Sequence, residues 1–142
     1  AWRGFDISTL GMSPEQCQWA MHRLGLRVQP GAMPQDLPRG PFEVVLLRED
    51  LSQCDDPVGL LADCRDVLAP DGVLALMILP ADHPVQRLRG YDAPLWSAPS
   101  ARQWFDRSSL ALALVRAGLH PETAFAAPSG DGVEIVLARR EQ

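Results

Sequence analysis

PFEVVLLREDLSQCDDPVGLLADCRDVLAPDGVLALMI, from Pro41 to Ile78, decides the fold. Its opening run, Phe42-Glu43-Val44-Val45-Leu46-Leu47, is nearly continuous in apolar and β-branched residues. That pattern predicts a strand buried on both faces near the centre of a parallel sheet. Asp56-Pro57 then supplies a capping acid and a proline at the first helical position. Val58, Leu61, Cys64 and Leu68 follow at helical spacing. Ala69-Pro70-Asp71-Gly72 stops the helix, and Gly72 to Leu79 is a second buried strand. A strand, a helix and another strand in this order imply a parallel pair joined by a crossover, hence an α/β fold.

Toward the N-terminus, Trp2 to Asp6 is the first expected strand, and Ser13-Pro14-Glu15 starts a helix whose buried face is expected at Cys17, Met21 and Leu24. Gly25 ends it, Leu26 to Gln29 is a short strand, and Pro30 to Pro41 is loop. Toward the C-terminus, Pro80 opens a long irregular segment carrying Tyr91, Trp96, Trp104 and Phe105. A last helix starts at Ser108 or Ser109 and is closed by Gly118. Leu119 to Ala126 and Val133 to Arg139 then form an antiparallel hairpin at the sheet edge.

The totals narrow the function. A chain of 142 residues fits one domain, with 46% hydrophobic residues and no apolar run near the roughly 20 residues that span a bilayer. The opening Ala1-Trp2-Arg3-Gly4 is no signal peptide, so a soluble, cytoplasmic protein without a membrane partner is expected. A net charge of −5 argues against broad nucleic-acid binding. Cys17, Cys54 and Cys64 match neither a disulfide framework nor paired metal ligands, so free thiols and no metal are expected.

In a parallel sheet the strand C-termini open on one edge, and ligands bind there. That edge is expected to gather Asp6, the loop from Gly31 to Leu37 with Met33, then Arg48-Glu49-Asp50, and the aromatic-rich segment after Leu79. An acid at a strand tip can accept both hydroxyls of a ribose. Glu49 and His83 are the candidate bases near such a crevice. Tyr91, Trp96 and Trp104, flanked by Arg87, Arg89, Arg102 and Arg107, are candidates for gripping a small-molecule substrate, with a packed aromatic cluster as the plainer reading.

These segments resemble, in order and over nearly the whole chain, the class I S-adenosylmethionine-dependent methyltransferases. "GFDIS" at Gly4 to Ser8 is similar to the strand whose acid holds the cofactor ribose, which carries that role onto Asp6 with Ile7 beside the adenine. The stretch from Pro41 to Ile78 resembles the family's fourth strand, helix, Pro-Gly turn and fifth strand. "WSAPSARQWFDRSSLALALVRAGL" resembles the segment before the terminal strand pair. The resemblance implies a Rossmann-like three-layer domain with a C-terminal antiparallel hairpin, S-adenosylmethionine as cofactor, and cofactor contacts from Asp6, Ile7, Met33 and Arg48. It implies acceptor contacts from Tyr91, Trp96, Trp104 and Arg102.

Departures from the family accompany the match. No glycine-rich strand-to-helix turn precedes Asp6, so the first strand and helix of the fold are not represented. Ala32 stands where an adenine-contacting acid is usual, Ser52-Gln53 replaces a Glu-His pair, and Ala101 replaces a later His. Two functional readings follow. One is a methyltransferase for a small molecule or sugar, and the other a non-catalytic, methyltransferase-like interaction or scaffolding domain, with a homodimer or partner chain completing the sheet. Another nucleotide-binding domain ranks below both, for want of a phosphate loop.

Overall fold

The computed structural model describes residues 4–31, 35–48, 50–90, 101–128 and 132–141. The contacts divide the chain into two compact units, Ala1–Arg39 and Gly40–Gln142.

In the first unit, strands β1 (Ser8–Met12) and β2 (Arg27–Pro30) pair in parallel, with Ser8 opposite Arg27 and Thr9 opposite Val28. Helix α1 (Pro14–Leu24) joins them. Ser13 caps it as the sequence predicts, and the cap is reciprocal: the Ser13 hydroxyl accepts from Gln16 N, and Gln16 Oε1 accepts from Ser13 N. Gly25 ends the helix in the left-handed conformation, which costs glycine no Cβ clash. Two expectations are corrected. The strand lies at Ser8–Met12, where it pairs with β2 and runs directly into the Ser13 cap; of the strand expected from Trp2 to Asp6, the first two residues lie outside the described residues and Gly4 to Asp6 precede β1. The buried face of α1 is Cys17 and Ala20, packed with Val28 and Leu26, whereas Met21 and Leu24 are exposed.

The second unit is a four-stranded sheet in the order β3-β4-β6-β5. Strands β3 (Phe42–Arg48) and β4 (Leu68–Ile78) are parallel, and helix α3 (Pro57–Val67) is their crossover. A short helix α2 (Asp50–Gln53) lies between β3 and α3. Asp56 caps α3, its Oδ1 accepting from Gly59 N at 2.8 Å. The expected Ala69-Pro70-Asp71-Gly72 turn is a bulge inside β4. From Phe42 to Val44 β3 advances two residues, while opposite it β4 advances five, from Leu68 to Val73. Gly72 is required there, since a Cβ would fall 2.8 Å from Phe42 O.

Beyond β4, helix α4 (Pro84–Arg89) lies within the segment expected to be irregular. Histidine is not among the usual caps, yet His83 serves as one, followed by Pro84 at the first helical position. Helix α5 (Arg107–Arg116) is capped by Asp106, two or three residues before the expected serines, in a reciprocal box with Ser109. It leads into β5 (Leu119–Ala126), which turns into β6 (Glu134–Arg140). Strand β6 is antiparallel to both β4 and β5, so it fills the gap between two mutually parallel strands.

Consecutive residues Leu74, Ala75 and Leu76 are all buried, so both faces of β4 are covered. The core adds Leu60, Leu61 and Cys64 from α3 and Leu110, Ala113 and Leu114 from α5, which packs against α3. Strand β3 departs from expectation. It is paired on one side only among the described residues, and Val44 and Leu46 are 62% and 58% exposed, so only Leu47 is fully buried. Arg65 Nη1 donates to Ala117 O at 2.7 Å, placing a cation at the C-terminus of α5. Among the described residues no helix is long and apolar enough to cross a membrane, and no group of His, Cys, Asp or Glu could hold a metal ion. Cys17 and Cys64 are buried.

Two measurements follow from this packing. Leu61→Ala, at a side chain with 0% exposure, should lower unfolding free energy by about 2–5 kcal/mol. Leu112→Ala, at 52% exposure, should cost under about 1 kcal/mol by the same urea titration. The Asp106 carboxyl is held below the usual range, first by Ser109 N–H and then by the Ser109 hydroxyl. A depressed folded value gives stability that is complete above the unfolded value, about 4, and lost as pH falls through the folded one. The urea midpoint of Asp106→Asn should therefore fall less than that of the wild type between about pH 4 and pH 2.

Candidate functional site

Each unit presents an edge where parallel strands end. In the first unit the C-terminal ends of β1 and β2 are Met12 and Pro30, so Asp6 precedes its strand rather than standing at its tip. Asp6 is exposed and Ile7 half-buried. The acid at this edge is Asp36, which the sequence reading passed over within the loop from Gly31 to Leu37. A Cβ on Gly31 would fall 2.8 Å from Asp36 Cβ and 2.9 Å from its Oδ2, so the missing side chain is what admits the carboxylate. The signal was a glycine five residues ahead of an acid, directly after a strand. Ala32 and Met33 lie outside the described residues.

The start of α1 carries a further constraint. A helix N-terminus attracts anions, but here it is served by Glu15. Its carboxyl is held below the usual range, first by its own backbone N–H and then by the Ser13 hydroxyl, 2.8 Å away. A carboxylate there weakly disfavours any anion, a phosphate or a ligand carboxylate alike, and being exposed it is screened by water.

In the second unit the parallel ends are Arg48 on β3 and Ile78 on β4. Arg48 is exposed at its tip, and Glu49 lies outside the described residues. Beyond β4 an ionic cluster forms. Arg107, the first residue of α5, donates through Nη1 to Asp82 Oδ2 at 2.8 Å and through Nη2 to Glu134 Oε1. Both carboxylates raise the guanidinium pKa, Glu134 more strongly. Glu134 opens β6 opposite Ile78, so the bridge ties the tip of β4 to α5 and β6 at once. His83 sits inside the cluster, with Nδ1 accepting from Val85 N at 3.2 Å and Nε2 4.0 Å from Glu134 Oε1. At that separation the ring is held by the Val85 N–H and lies beside the Glu134 carboxylate without a hydrogen bond to it.

The remaining candidates are held by structure. Arg102 pairs with Asp55, its N–H donates to Ser52 O at 2.8 Å, and Gln103 Nε2 donates to Leu51 O and Cys54 O at 2.9 Å each. Residues 101–103 are thereby laced to α2 and the residues just after it. Trp104 is partly exposed, whereas Tyr91 and Trp96 lie outside the described residues. Sequence reasoning missed Glu134, which looks like an ordinary strand residue until β6 is seen to start beside the end of β4.

The bridge has a measurable consequence. Arg107→Ala leaves the Glu134 carboxylate, 10% exposed, without its cation and should destabilise the protein by about 1–2 kcal/mol, since the guanidinium is partly screened by water. Glu134→Gln in that background should restore more than half of the loss, as measured by urea unfolding.

No protein-family model matches the sequence, and no curated protein matches it significantly. Solved structures do. The mitomycin 7-O-methyltransferase MmcR superposes with a TM-score of 0.80 at 24% identity, over 97% of this chain and 42% of its own. NcsB1, an O-methyltransferase from neocarzinostatin biosynthesis solved with S-adenosyl-L-homocysteine and 1,4-dihydroxy-2-naphthoic acid, gives 0.72 at 19% identity, over 94% and 41%. A SAM-dependent methyltransferase from Thermotoga maritima gives 0.69 at 20% identity, over 95% and 72%. The chain thus spans about two-fifths of the length of the first two. What the likeness establishes is the architecture: this chain has the Rossmann-like α/β fold of the class I S-adenosylmethionine-dependent methyltransferases.

Proposed function

We propose that the chain forms the larger part of a methyltransferase domain that uses S-adenosylmethionine to methylate a small molecule. The observation that carries this reading is the superposition on MmcR over 97% of the chain, including the antiparallel last strand between two parallel ones. The edge after β2 offers such a cofactor an acid, because Gly31 opens the backbone beside the Asp36 carboxylate. On the family resemblance Asp6 is assigned to the ribose and Ile7 to the adenine, and Asp36, which stands at the strand-end edge, is the alternative acid for the diol. Met33 is assigned to the same cofactor contacts.

When bound, the cofactor supplies an electrophilic methyl group on a sulfonium, a good leaving group, so positioning alone delivers much of the rate. The protein's part is to orient the acceptor and exclude water. His83 and Glu49 are assigned as the bases that take the acceptor's proton. Tyr91, Trp96 and Trp104 are assigned to the acceptor's ring faces and Arg102 to its polar rim.

A second reading, a non-catalytic interaction or scaffolding domain, is favoured by one observation. Arg102 and Gln103 are committed to holding residues 51–55, and Ser52 serves as a backbone acceptor in that lacing.

Calorimetry distinguishes the two. On the methyltransferase reading S-adenosylmethionine binds the full-length protein with measurable heat, and Asp6→Ala weakens binding at least about tenfold, the loss expected for hydrogen bonds to a charged acceptor. Absence of heat at millimolar cofactor favours the scaffold. Loss of binding in Asp36→Ala with Asp6→Ala unchanged transfers the ribose role to Asp36.

A further inference from the structure

His83 satisfies the start of α4 with two acceptors. Its carbonyl accepts from Gln86 N at 2.9 Å and its ring Nδ1 accepts from Val85 N at 3.2 Å, while Pro84 has no N–H to place. A helix of six residues is too short to stand by itself, so α4 depends on such contacts. The ring bond carries a condition that a serine or asparagine cap does not. Imidazole accepts a hydrogen bond only through an unprotonated nitrogen, so Nδ1 caps α4 only in the neutral ring with its proton on Nε2. Gly132 leaves the ring its room, since a Cβ there would come within 3.1 Å of His83 Nδ1.

A protonated ring has another partner within reach. Nε2 lies 4.0 Å from Glu134 Oε1, inside ion-pair range and beyond hydrogen-bond distance, so a movement of about 1 Å closes the gap. The charged groups around the ring are Glu134 from β6, Asp82 next to it in the chain, and Arg107 from α5, which grips both carboxylates. Two negative charges against one positive favour a further cation. The start of α4 disfavours one, because the positive end of the helix dipole lies there, and Arg87 and Arg89 add positive charge in its last turn. We infer that His83 is a pH-sensitive switch: neutral, it caps α4, and protonated, it releases the Val85 N–H and pairs with Glu134. Helix α4 is therefore held at high pH and loosened as pH falls through the range, about 5 to 8, in which imidazoles take up protons. The switch rests on the cap and its neighbours, not on methyl transfer. Its bearing on that reading is that a protonated ring cannot serve as a base.

Amide exchange measured by NMR on the intact chain without cofactor, corrected for the intrinsic pH dependence of exchange, tests the switch. From pH 8 to pH 5 the protection of α4 amides should fall about fivefold, the effect of losing an N-cap, with α5 unchanged. His83→Asn keeps a cap that does not titrate, so its α4 protection should be the same at both pH values. Glu134→Gln removes the charge that draws the protonated ring, and the His83 imidazole should then titrate at lower pH than in the wild type, read from its ring nitrogen shifts. Should either variant fail to fold, the wild-type spectra still decide: at pH 8 the ring proton sits on Nε2, and the Val85 amide resonance follows the His83 titration. A ring proton on Nδ1 at pH 8, or α4 protection indifferent to pH, would overturn the switch. So would a pH response persisting in His83→Asn, or an unmoved titration in Glu134→Gln. Because no cofactor is present, failure of S-adenosylmethionine binding leaves this outcome unaffected.

Discussion

Strand β4 is hydrogen-bonded along both edges, to β3 in parallel and to β6 antiparallel, and the architecture of residues 40–142 depends on that double pairing. It fixes which strand ends face the same way, and so where α3 and α5 must cross. It also explains the bulge at the start of β4. Arg139 Nη1 donates to Asp71 O at 2.6 Å, within the residues that β3 leaves unpaired, and Arg140 Nη2 donates to Leu68 O at 2.5 Å just before them, so the end of β6 clasps the bulge. Loss of either edge would expose the buried run Leu74-Ala75-Leu76.

The same pairing concentrates polar chemistry at one place. Because β6 begins opposite the last residue of β4, Glu134 meets Arg107 at the start of α5 and faces His83 beyond β4. Three segments far apart in sequence thus share one ionic cluster, on the edge where open α/β sheets take ligands. Fold alone does not choose the reaction. At the edge of the first unit the local features are the Glu15 carboxyl, held below its usual range at the start of α1, and Gly31, which opens the backbone beside the Asp36 carboxylate.

Much of this was legible in the sequence where local rules govern. Ser13-Pro14, Gly25 and Asp56-Pro57 mark helix ends because caps act within one turn, and the Leu119 to Arg139 hairpin was visible from its turn residues. The misreadings arose where a partner strand decides. Trp2 to Asp6 looks as strand-like as Ser8–Met12 until β2 sets the pairing, and the apolar run of β3 suggests burial on both faces although Val44 and Leu46 are exposed. Helix α4 was hidden because its cap is a histidine, and Glu134 gains meaning only from neighbours distant in the chain.

The central claim of the proposed reading is that the edge after β2, where Gly31 opens the backbone beside the Asp36 carboxylate, receives an adenosyl cofactor. Hydrogen–deuterium exchange of the full-length protein, with and without saturating S-adenosylmethionine, tests it most directly. Slower exchange in the segment just after β2, with β5 unchanged, is the predicted pattern. No change at that segment, or a uniform change across the chain, would contradict it.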